Sequence, residues 1–178
     1  IMTAGVIGYI AQKHGDLIAM VSGDVDGSHY QPLKGSNEHL ERLLQYIDKT
    51  TRVDGPKSSL PRQLEYVSRS IRRRMMLIII ADDLALDAEH ERLLRRLSAQ
   101  HEIMWLTIGD ANLTDTKFLG DEMADIESDE SIPAFIRASQ TLNAEFKDTT
   151  EKRREVFSKM LTRLGISSQR ITDETDVV

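Results

Sequence analysis

The feature that most constrains this chain is an alternation of short, wholly apolar runs with stretches whose apolar residues recur three and four apart. The clearest run is Met75-Met76-Leu77-Ile78-Ile79-Ile80-Ala81, closed by Asp82-Asp83. The next is Glu102-Ile103-Met104-Trp105-Leu106-Thr107-Ile108, closed by Gly109-Asp110. Apolar runs that do not alternate with polar residues suit strands buried on both faces, as in the interior of a parallel sheet. Between them, residues 87–99 put Leu93, Leu94 and Leu97 on one side behind an acidic first turn, which predicts a helix. Strand, helix and strand in that order call for a right-handed crossover and parallel pairing. The expectation is therefore an α/β fold, a mostly parallel Rossmann-like sheet flanked by helices, with 75–81 as an interior strand.

The remainder fits around that unit. Val6, Ile7, Ile10 and Ala11 predict a helix over 4–13, stopped by His14-Gly15. Residues 17–21 form a continuous apolar run, read as buried on both faces. Ser22-Gly23-Asp24-Val25-Asp26-Gly27 is turn chemistry leading to an outer strand at 29–33, interrupted by Pro32. Ser36 or Asn37 caps a helix carrying Leu40, Leu43, Leu44 and Ile47. A helix over 59–73, with Pro61 in its first turn, buries Leu60, Leu64, Val67 and Ile71. Arg72-Arg73-Arg74 then reads as a cationic complement to its carbonyl end. Residues 111–130 are acidic and irregular, with a short strand at 123–126. Helical periodicity resumes at Ser131-Ile132-Pro133 and runs through Leu142, Phe157 and Leu161 to Gly165, before a last strand at 169–172.

A chain of 178 residues with 40% hydrophobic and 29% charged content supports one packed domain over 1–178. Both ends read as cut, so the domain is expected to be truncated there. A net charge of -6 with dispersed Lys and Arg argues against a nucleic-acid partner. The absence of cysteine excludes disulfides and thiolate chemistry and suits a cytoplasmic location. No apolar run approaches the roughly 20 residues needed to span a bilayer.

In open parallel sheets, ligands sit outside the carboxyl ends of the strands. Those ends carry Ser22-Gly23-Asp24, Asp82-Asp83 and Gly109-Asp110, with hydroxyls at Ser58-Ser59. Such oxygen donors suit a hard cation such as Mg2+. The plainer alternative is that each acid is solvated or caps a helix, Asp83 and Asp87 being the better cap candidates. The five histidines are scattered over positions that read as surface, and none is a candidate general base. No Gly-rich phosphate loop or nucleophile elbow occurs.

Gly55-Pro56-Lys57-Ser58-Ser59-Leu60, the Arg-rich segment, the strand closing on Ala81-Asp82-Asp83-Leu84, and the terminal Ile171-Thr172-Asp173-Glu174-Thr175-Asp176-Val177-Val178 bear a likeness. With them the chain resembles the bacterial uncharacterised-domain family numbered fifty-eight, which is von Willebrand factor A-like. That resemblance implies a metal-ion-dependent adhesion site built from a D-x-S-x-S loop, a Thr and an Asp. By it, Asp82 stands where the last Asp belongs and Ser58 where the Thr belongs, with Ser59 the alternative. The D-x-S-x-S loop and the central strand before it are absent from this sequence, so the site is expected to be incomplete. Mg2+ is then expected to bind weakly or not at all unless the upstream loop is supplied.

Three functions follow for weighing. The resemblance implies a protein-interaction module associated with MoxR-type AAA ATPases, with self-association as one way to cover the sheet. The second is a Mg-dependent phosphoryl-transfer or hydrolytic enzyme using Asp82 and Asp83. The third is a purely structural role within a longer polypeptide.

Overall fold

The structure, a computed structural model, describes residues 1–52, 55–109 and 140–172, with side chains of the last stretch from residue 148. The chain opens with α1 (Met2–Lys13), then β1 (Ile18–Gly23) and β2 (Ser28–Lys34), then α2 (Asn37–Thr50) and α3 (Leu60–Ser70). A parallel unit follows: β3 (Met76–Ala81), α4 (Ala88–Ser98), β4 (Glu102–Ile108), α5 (Gln140–Arg163) and β5 (Ser167–Ile171). The expected strand at 123–126 and the helix start at Ser131 lie outside the described residues.

β3, β4 and β5 form one parallel sheet in that order, with Ile79 opposite Trp105 and Trp105 opposite Ser168. Side chains alternate across a strand, so Leu77, Ile79 and Ala81 share a face with Ile103 and Trp105. That face carries the core, in which Leu64 and Val67 of α3, Leu93, Leu94 and Leu97 of α4, and Leu161 of α5 are buried together. Trp105 is fully buried; its indole N–H donates to Thr107 Oγ1 at 3.1 Å, and its ring meets Phe157 edge-on at 5.2 Å. A buried indole needs such a partner, and Thr107 supplies it from two residues along the same face.

β1 and β2 form a separate antiparallel pair rather than joining the parallel sheet. Gly23 ends β1 where its Cα faces the returning chain; an added Cβ would lie 2.1 Å from the Gly27 carbonyl oxygen. α1 approaches α2 through a similarly bare position, Gly8, over Leu40.

Four expectations need correction. β3 is an edge strand of its sheet among the described residues, and Met76 and Ile80 are 55% and 41% exposed. Its apolar composition reflects one packed face, not two. β1 is half-buried throughout, since among the described residues its only strand neighbour is β2. α3 ends at Ser70, with Ile71 extended, so Arg72, Arg73 and Arg74 sit in an exposed connector and not on the helix end. Two histidines are core residues: His39 is held by the Ile18 carbonyl, and His101 lies beneath the α3–β3 connector.

Candidate functional site

Parallel register brings the carboxyl ends of β3, β4 and β5 to one edge, with Ala81 opposite Thr107 and Thr107 opposite Arg170. Asp82 and Asp83, Gly109, and Thr172 therefore follow their strands on the same side. Gly109 is drawn in by its N–H, which donates to the Ile171 carbonyl at 2.7 Å. Its missing side chain makes room for the Arg170 guanidinium, which would lie about 3.0 Å from a Cβ there.

Asp83 is the electrostatic centre of this edge. Its Oδ2 accepts from Arg154 Nε of α5 at 3.0 Å and from Arg170 Nη1 of β5 at 2.8 Å. The sequence suggested a helix cap or a bystander; instead Asp83 ties three elements together. Arg154 and Arg170 are 71 and 87 residues away along the chain, so no local pattern announces the pairing. Asp82 is exposed and makes a polar contact of its own.

Capping falls to Asp87, as expected. Its carboxylate accepts from the backbone N–H of Glu89 and His90, and the His90 ring reaches back to complete a capping box. The backbone bond from His90, then its side chain, hold the Asp87 carboxyl below the usual carboxylate range.

Ser58 and Ser59 lie at the start of α3. Ser58 is exposed and forms an isolated antiparallel bridge with Asp24, reinforced by the Val25 N–H donating to the Lys57 carbonyl at 3.0 Å. Ser59 is the N-cap of α3, although its side chain makes no cap bond. Asp24 closes its own turn, its Oδ1 accepting from the N–H of Asp26 and Gly27. Thus the fold brings Ser58 to Asp24.

Mg2+ prefers near-octahedral oxygen coordination. Asp82, Ser58 and Ser59 offer one carboxylate and two hydroxyls, and among the described residues no three His, Asp or Glu side chains group to hold a metal ion. The donor type fits a hard cation. No helix among the described residues is long and apolar enough to cross a membrane.

No curated protein and no solved structure matches the chain. Residues 1–156 match the family described as protein of unknown function DUF58, and the chain belongs to that family.

Proposed function

We propose that this chain is a von Willebrand factor A-like protein-interaction module, a partner of a MoxR-type AAA ATPase, and not an enzyme. The observation that carries the reading is the outer edge of β3. Natural edge strands are usually blunted by charge, Pro or a bulge. The sequence Met76-Leu77-Ile78-Ile79-Ile80-Ala81 has none of these within it, and no strand pairs with its outer side among the described residues. Main-chain groups with exposed Met76 and Ile80 beside them suit the addition of an extended segment from a partner.

The enzyme reading asks both Asp82 and Asp83 to serve Mg2+. Asp83 is already neutralised by two guanidinium groups, which favours a structural use of that carboxylate. By the family resemblance, Asp82, Ser58 and Ser59 are one corner of an adhesion-type metal site that needs an upstream loop. Self-association through the β3 edge belongs to the same interaction reading.

Capture of a purified MoxR-type ATPase on the immobilised chain tests the proposal. Binding is expected, and Ile80→Lys should abolish it while leaving the circular dichroism spectrum intact. ATPase binding that ignores Ile80→Lys, or Mg-dependent turnover of generic phosphate esters lost in Asp82→Ala, would overturn it. Calorimetry with Mg2+ is expected to show weak binding or none; micromolar affinity that disappears in Asp82→Ala would contradict the incomplete site. Light scattering of the chain alone reports self-association, with a single-chain mass removing that part of the reading.

A further inference from the structure

Met75, the residue before β3, has both backbone groups held by the turn that joins α4 to β4. Its N–H donates to His101 Nδ1 at 3.3 Å, and its carbonyl accepts from the Glu102 N–H at 3.0 Å. One residue earlier, the Gln100 amide donates to the Ile71 carbonyl at 3.1 Å and to the Arg72 carbonyl. Gln100 and His101 are themselves fixed by their N–H groups donating to the Leu97 carbonyl. Three consecutive residues, Gln100 to Glu102, therefore grip both ends of the connector 71–75.

The grip depends on the protonation state of one ring. Accepting from Met75 leaves Nδ1 without a proton, so the neutral ring carries its proton on Nε2, which is buried with no hydrogen-bond partner. Adding a second proton turns Nδ1 into a donor that faces another donor. It also places a charge on a residue only 4% exposed.

We propose that His101 is an acid-sensitive latch whose protonation releases the α3–β3 connector, Arg72-Arg73-Arg74 included, and frees the first residues of β3. The surrounding elements carry mainly cations. The connector carries Arg72, Arg73 and Arg74, the last turn of α3 carries Arg69, and that of α4 carries Arg95 and Arg96. β3 itself has no charged residue, and Glu102 of β4 points to solvent. Burial is the main influence on the ring and holds its pKa below the ordinary histidine value, opposed only by the Ile71 carbonyl. The consequence is a local opening reached at lower pH than the titration of a surface histidine, followed by loss of the Met75 clasp.

The test follows the chain by NMR from neutral pH down through the acidic range. His101 ring shifts are expected to titrate below the ordinary histidine value. Over the same range, intrinsic-rate-corrected exchange of the Met75 and Met76 amides should accelerate about tenfold more than that of Trp105 and Leu106. His101→Phe should remove the differential pH response. If that variant fails to fold, the wild-type comparison of ring titration with Met75 exchange decides the matter. Ordinary titration of His101, or a Met75 amide whose protection does not follow it, would overturn the latch, as would an unchanged acid response in a folded His101→Phe chain.

Discussion

Arg170 donates from Nη1 to Asp83 Oδ2 at 2.8 Å, joining the end of the third parallel strand to the segment after the first, across the intervening β4. Arg154 of α5 shares the same oxygen. All three side chains are about a third exposed, at 32%, 31% and 37% for Asp83, Arg170 and Arg154, so solvent screens part of the attraction. Asp83→Asn is expected to lower unfolding free energy by about 1 kcal/mol, and Asp83→Ala by about 2 kcal/mol because two guanidinium groups then face each other. Urea unfolding of the single and double variants with Arg170→Ala should return a coupling of about 0.5–1 kcal/mol, shrinking at high salt.

Gly23→Ala should destabilise the hairpin. The new methyl group would fall 2.1 Å from the Gly27 carbonyl oxygen and 2.9 Å from Ser28 Cα, both backbone positions that cannot swing aside. A cost of about 1–3 kcal/mol is expected for overpacking of this kind. Hydrogen exchange should place the loss mainly in β1 and β2, with β4 less affected.

Thr107→Val removes the partner of the Trp105 indole N–H while keeping the shape of the side chain. The donor is left buried and unpaired, so a loss of about 1–3 kcal/mol is expected. Trp105 is the sole tryptophan, and its fluorescence reports both the unfolding transition and the changed surroundings directly.

The start of α4 should carry an acid dependence. The Asp87 carboxyl has a pKa lowered from 3.8 by its bonds from His90. Its stabilising effect is therefore fully present above about pH 4 and lost as pH falls through the lowered value. Thermal melts from about pH 5 downward should show a shallower fall for Asp87→Ala than for the unaltered chain.

Local chemistry made much of the parallel unit legible. The strand expected at 102–108 matches β4 residue for residue, and β3 begins one residue later than its apolar run. Asp87 announced itself as a cap by standing before Ala88-Glu89-His90. What sequence pattern missed depends on contacts between distant residues. α3 ends at Ser70, and the Ile71 and Arg72 carbonyls beyond it accept from the distant Gln100 amide. Whether β1 joins β3 is a question of pairing, to which two apolar runs give no answer. His101 and Asp83 read as surface residues because their partners lie 26, 71 and 87 positions away. At the candidate site, the acidic strand ends and the turn at Asp24 were visible, but the ion pairing of Asp83 was not.

The placement of β5 also sets an order of events during synthesis. β4 emerges from the ribosome with β3 available on one side, but its other neighbour, Ser167–Ile171, is made some sixty residues later. Until then Asp83 lacks Arg170, and one ladder of backbone groups on the most buried strand of the sheet stands open. The nascent chain therefore passes through a stage at which its best-packed strand has one edge unpaired.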